Sequence, residues 1–216
     1  MNILYTFFWV LINFITHVLF RIKIVNRDLL PREGAYILAS NHISLADPPI
    51  LGSALDRPIY FMAKKELFQN FLFGALLRKI NAFPVDRGGV DRSAIKKAVA
   101  ILDSNRSLVI FPEGTRGRDG KLLKPQPGIG LIARHCAVPI VPAFMTGSNR
   151  LRDCFLGREI LSVIYGQPID SDEVKAYDTG KDGYRRLADE IMSRIQRIKD
   201  EYKLASEVTH QGAGPH

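Results

Sequence analysis

The sequence predicts an α/β domain: a mixed, mostly parallel sheet flanked by helices, preceded by a hydrophobic helix that associates with membrane. Three observations predict it. Short β-branched or aliphatic runs alternate with longer helical patterns. The strand runs are apolar almost throughout, which suits a sheet covered on both faces. Residues 1–20 contain no Lys, Arg, Asp or Glu. The 216 residues hold one domain with a sizeable core. The expected organisation is a membrane-associating segment at 1–21, the domain at 22–204 and a flexible tail at 205–216.

Taken in order, the first element runs from Ile3 to Phe20, where the polar exceptions are Thr6, Asn13, Thr16 and His17. A helix of this length reaches roughly 27 Å, the lower edge of what spans a bilayer. No basic segment precedes it and no small-residue cleavage site follows, so it does not read as a signal peptide. Arg21, Lys23 and Arg27 come next and favour a cytoplasmic location for the domain. Spanning and dipping into one leaflet both remain open, and a buried core helix is the third alternative.

Strands are expected at 22–26, 35–40, 58–62, 82–85, 107–111, 139–144 and 160–165, and helices at 48–55, 64–79, 91–104 and 127–136. The 64–79 segment is apolar most of the way round, with Leu67, Phe68, Phe71, Leu72, Phe73, Leu76, Leu77 and Ile80. It is read as either a core helix or a wall meeting a fatty chain or lipid. Tyr184, Leu187, Ile191, Ile195, Ile198 and Tyr202 recur at helical spacing and predict an amphipathic helix at 182–203.

The chain carries a net charge of +8, concentrated in its middle. Residues 56–97 hold nine basic and four acidic side chains, and 106–135 hold six and two, whereas 170–201 hold seven and nine. Such a surplus points to an anionic partner: nucleic acid, an acidic membrane surface or a phosphorylated substrate. Nucleic acid is disfavoured because the basic residues are not interleaved with aromatics. Two cysteines, Cys136 and Cys154, exclude a disulfide scaffold and fit a reducing compartment. The histidines at 17, 42, 135, 210 and 216 lack metal-ligand spacing, so no metal is expected.

Two blocks carry chemistry. After the strand ending at Ser40 come Asn41, His42, Ile43, Ser44, Leu45, Ala46 and Asp47, followed by Pro48 and Pro49. A strand running into a polar turn presents side chains at the carboxyl edge of the sheet, where open α/β sheets bind ligands. In one continuous helix His42 and Asp47 would point roughly 140° apart; a turn brings carboxylate to imidazole instead. Such a pair fixes the imidazole tautomer and stabilises the imidazolium formed when His takes a proton. Pro48 makes Asp47 the expected helix cap. The second block is Phe111-Pro112-Glu113-Gly114-Thr115-Arg116 at the end of another strand. Pro112 fixes φ, Gly114 permits a left-handed backbone, and Arg116 offers a planar fork suited to phosphate.

Together these blocks resemble the glycerolipid acyltransferase family, most closely its bacterial branch acting on 1-acyl-sn-glycerol-3-phosphate. Phe83-Pro84-Val85-Asp86-Arg87 and Val138-Pro139-Ile140-Val141-Pro142 are similar to two further family blocks and stand in the same order. One departure is Asn81, where the family has Gly; Asn also tolerates positive φ.

The resemblance implies transfer of an acyl group from acyl carrier protein or a coenzyme A thioester to the sn-2 hydroxyl of lysophosphatidic acid, forming phosphatidic acid. His42 would be the general base, and Asp47 its orienting partner. Arg87 and Arg116, with Lys64 or Lys65, would hold the acceptor phosphate. Glu113, Gly114 and Thr115 would shape that pocket, Glu113 by fixing a cationic neighbour. No cofactor beyond the thioester co-substrate is implied. The implied location is the cytoplasmic face of the cell membrane, against membrane lipid. A related acyltransferase using another lysolipid is the nearest alternative, and a non-catalytic basic binding module a distant one.

Overall fold

The computed structural model describes residues 3–86, 89, 91–117 and 121–211, with side chains described as far as Glu207. Seven strands form one sheet: β1 (Lys23–Val25), β2 (Ile37–Ser40), β3 (Ile59–Lys64), β4 (Ala82–Val85), β5 (Ser107–Ile110), β6 (Ile140–Thr146) and β7 (Ser162–Tyr165). Their order is β1-β7-β6-β2-β5-β3-β4. Every neighbouring pair is parallel except β6 with β7, so the sheet is mixed and mostly parallel, as expected.

The eight α-helices described are α1 (Ile3–Phe14), α2 (Asp47–Ser53), α3 (Phe71–Lys79), α4 (Arg92–Asp103), α5 (Gly128–Cys136), α6 (Leu151–Phe155), α7 (Ser171–Lys175) and α8 (Lys181–Gln211). Alternation along the central strands sorts two cores. Ile37, Leu108, Ile110 and Ile140 pack with α4, α5 and α8 residues such as Ala98, Ile132 and Ile191. Leu38, Val109, Val141 and Met145 face the other way, against Ile50, Leu51 and Ala54 at α2. The strands are therefore buried on both sides, which is why they read as continuous apolar runs. Gly130 of α5 is required where α8 crosses it: a Cβ there would lie 1.9 Å from the Tyr184 carbonyl oxygen.

Two sequence expectations are corrected. The 64–79 helix is broken: β3 extends to Lys64, a 3-10 turn covers Lys65–Phe68, and α3 starts afresh at Phe71. The break comes from Asn70, whose side chain accepts from the Phe73 N–H and caps a new helix. The last helix runs on to Gln211, through the first half of the segment expected as a tail. Leu204 to Glu207 are adequate helix formers, and Ser206 Oγ bonds the Tyr202 carbonyl at 2.8 Å.

The alternatives left open at the start of the chain are narrowed. α1 continues as a π-helical turn at Ile15–Leu19, and no described helix is long and apolar enough to cross a membrane. Nor is it a core helix. Tyr5 and Thr16 are buried, and Thr16 Oγ1 donates to Ser53 Oγ at 3.0 Å, docking the helix on α2. The opposite face presents Ile3, Phe7, Val10, Phe14 and Val18, each more than half exposed.

Candidate active site

Both predicted blocks leave the sheet at its carboxyl edge from adjacent parallel strands, β2 and β5. Asn41 fixes the first exit. Its carboxamide donates to the Met145 carbonyl at 2.9 Å and accepts the Met145 N–H at 2.7 Å, tying β2 to β6. The next residue, His42, lies under the second block. Its N–H donates to Glu113 Oε1 at 3.0 Å, and its carbonyl accepts the Gly117 N–H at 2.7 Å. Its ring stacks on Phe111, centroids 4.1 Å apart and planes 16° from parallel. The Phe-Pro-Glu-Gly-Thr-Arg turn and the Gly117 that follows it thus grip His42 by both backbone polar groups and by the ring face.

Asp47 Oδ2 lies 2.8 Å from His42 Nδ1 and also accepts the N–H groups of Ile43 at 2.7 Å and Ser44 at 2.8 Å. Its other oxygen, Oδ1, accepts Ser148 Oγ–H at 2.5 Å. The carboxylate is wholly buried, so four donors replace its water. Asp47 was expected as a helix cap; α2 instead begins at Asp47 itself, and the side chain folds back over the turn 42–44. An ionised carboxylate can only accept, so His42 Nδ1 carries the hydrogen and Nε2 keeps its lone pair. No hydrogen bond to Nε2 occurs among the described residues.

Glu113 is held by the backbone, with the buried Lys199 near enough to feel its charge. Its two oxygens accept backbone N–H groups, Oε1 from His42 and Oε2 from Leu123 at 2.9 Å. Burial pushes its carboxyl above the ordinary value, with those two bonds and His42 acting in the opposite direction. Gly114 closes the turn with φ +68° and an N–H bond to the Phe111 carbonyl. Gly117 is needed for close approach, since a Cβ there would meet the Lys121 carbonyl at 2.8 Å and Glu113 Oε2 at 3.1 Å.

The cationic candidates are less uniform. Thr115 and Arg116 are exposed on the loop just before Gly117, the residue bonded to the His42 carbonyl. Lys64 and Lys65 stand at the carboxyl end of β3, on the same edge. Lys64 is ion-paired with Glu66 at 3.4 Å, and Lys65 with Asp86. Arg87 lies outside the described residues. Asn81 takes φ +65° at the turn into β4, so it keeps the left-handed backbone expected there.

Sequence reading missed Ser148. It sits two residues beyond the end of β6, the third strand to converge on this edge, and is 2% exposed. The signal that finds it is topological: a hydroxyl directly after each parallel strand of such a sheet merits inspection.

The family profile described as "Acyltransferase" matches residues 21–146. A 1-acyl-sn-glycerol-3-phosphate acyltransferase of Streptococcus pneumoniae is 35% identical over 181 residues, covering 82% of this chain and 66% of that protein. One of the same name from Bacillus subtilis is 32% identical over 180 residues, covering 83% and 88%. The crystal structure of the 1-acyl-sn-glycerophosphate (LPA) acyltransferase, PlsC, from Thermotoga maritima superposes with a TM-score of 0.69 at 22% identity. It covers 92% of this chain and 81% of that one, and shows a shared fold.

Proposed function

The chain belongs to the acyltransferase family, and from that premise we propose that it acylates the sn-2 hydroxyl of 1-acyl-sn-glycerol-3-phosphate to give phosphatidic acid. The acyl group comes from acyl carrier protein or coenzyme A. The observation that carries this reading is the 2.8 Å contact from His42 Nδ1 to Asp47 Oδ2, which leaves Nε2 as a base. The relatives' names supply the acceptor.

The chemistry follows from the pair. Nε2 of His42 takes the proton of the glycerol hydroxyl as its oxygen attacks the thioester carbonyl carbon. The C=O π pair moves to oxygen, and the tetrahedral oxyanion then collapses, breaking the C–S bond. The departing sulfur takes the proton back from the imidazolium, so an ester and a thiol form with no net proton change. Asp47 stabilises the imidazolium, and the Phe111 ring face favours the same cation. No acyl-enzyme is invoked, so no serine or cysteine nucleophile is required.

Arg116 and Arg87 hold the acceptor phosphate through charge-assisted hydrogen bonds. Thr115 and Gly114 shape the adjoining turn. Lys64 and Lys65, already engaged by carboxylates, are assigned no direct contact. The enzyme rests on the cytoplasmic face of the membrane, with the outer stripe of α1 in one leaflet and Arg21 and Lys23 near its headgroups.

Purified enzyme assayed with each donor against lysophosphatidic acid, lysophosphatidylcholine and monoacylglycerol tests the proposal. Lysophosphatidic acid should exceed the others in kcat/KM by at least about tenfold. Equal rates on acceptors lacking the phosphomonoester would overturn the acceptor assignment.

A further inference from the structure

At the opposite edge of the sheet, the segments entering three neighbouring strands line a half-open cavity of about 600 Å³. Arg57 and Pro58 precede β3, Asn81 precedes β4, and Asn105 and Arg106 precede Ser107 at the start of β5. Tyr5 of α1 completes the wall with Tyr60. No carboxylate lines it among the described residues. The nearest one in sequence, Asp56, is taken by Arg27 at 2.5 Å.

The two guanidinium groups are fixed but not saturated. Arg57 lies over the Tyr36 ring, 4.7 Å from its centroid, and Nη2 donates to the Gly34 carbonyl at 2.5 Å and Ser107 Oγ at 3.1 Å. Its Nε is buried without a partner among the described residues. Arg106 Nη1 donates to Tyr60 Oη at 2.6 Å, and its other donors make no bond among the described residues. Arg106 therefore has N–H groups to spare, and Arg57, which also bonds the Tyr36 side chain, keeps its Nε–H unpartnered, beside two asparagine side chains.

We propose that this cavity binds a phosphate group, held by Arg57 and Arg106 at the amino edge of the sheet. Two positive planar forks without a counter-ion, from two adjacent strands, match the charge and donor geometry of phosphate. The group is carried on a lipid headgroup or arrives as free phosphate. Tyr5 ties the cavity to the helix whose other face is an exposed apolar stripe, which connects the site with the lipid surface. The site needs neither His42 nor the acyl-transfer reading.

The buried Nε–H of Arg57 should exchange slowly enough to be seen by ¹⁵N NMR of the full chain in maltoside micelles. Its signal is assigned by loss in Arg57→Lys. Titration with inorganic phosphate and with dihexanoyl phosphatidic acid should shift that signal saturably. Arg106→Gln, on an exposed side chain whose loss spares the core, should weaken the response by about tenfold or more. Tighter binding of the lipid identifies a headgroup as the source, and equal affinity identifies free phosphate; either result sustains the site. No shift with either probe, or full affinity in Arg106→Gln, would overturn it.

Discussion

Oδ2 of Asp47 lies 2.8 Å from Nδ1 of His42, and the same oxygen takes the N–H groups of Ile43 and Ser44. Carboxylate, imidazole and turn are thus one hydrogen-bonded unit, assembled before any substrate arrives.

Asp47→Asn removes the charge while keeping the shape. The amide oxygen can replace Oδ2, and the amide nitrogen can donate to Ser148, whose hydroxyl turns to accept. The fold should survive and kcat should fall by about 10²–10⁴-fold, with KM for the acceptor little changed. Steady-state kinetics beside a thermal melt check this; a kcat within about threefold of the native value would refute the stabilising role of the carboxylate.

Ser148→Ala leaves Oδ1 of a buried carboxylate without its donor. Stability should drop by about 1–3 kcal/mol, measured by denaturant unfolding. The carboxylate then gains freedom to rotate, so kcat should fall by about tenfold with KM unchanged. A variant equal to the native protein in both readouts would show that the hydroxyl is dispensable.

How far the sequence carried the reading depends on where each signal resides. His42, Asp47 and the Glu113–Arg116 turn were legible because each sits in a short segment directly after a strand, where side chains gather at a sheet edge. Ser148 was not, because its contact spans 101 residues and no local pattern marks it. The prolines Pro48 and Pro49 mark the true start of α2, but Asp47 does not cap it, because three donors in the turn 42–44 draw its carboxylate backwards. The helix at 64–79 was drawn too long because apolar content alone does not reveal the stop at Asn70. The reversed direction of β7 was equally hidden, since a strand's apolar run carries no sign of its direction.

Glu113 gives a pH signature. Burial raises its carboxyl above the ordinary value of 4.5. The folded state therefore holds that proton more tightly than the unfolded chain. The stability it contributes is fully present below pH 4.5 and is lost as pH rises through the raised value. His42, Asp47 and Lys199 face the group electrostatically. Glu113→Gln cannot titrate, so its melting temperature relative to the native protein should improve as pH increases across that window. A constant difference would contradict the assignment.

The outer stripe of α1 predicts its own phenotype. Phe7→Asp and Phe14→Asp place charge where apolar rings are exposed. Each should weaken partition into vesicles of anionic lipid by at least about tenfold, measured by sedimentation. Unchanged partition would remove α1 from the membrane contact.

The most direct measurement compares native enzyme and His42→Ala in a single-turnover assay, with acyl thioester and lysophosphatidic acid both saturating. A general base at Nε2 predicts a loss of at least about 10³-fold in the acyl-transfer step, with vesicle binding and melting temperature retained. A variant that still transfers the acyl group within about tenfold of the native rate would contradict the mechanism.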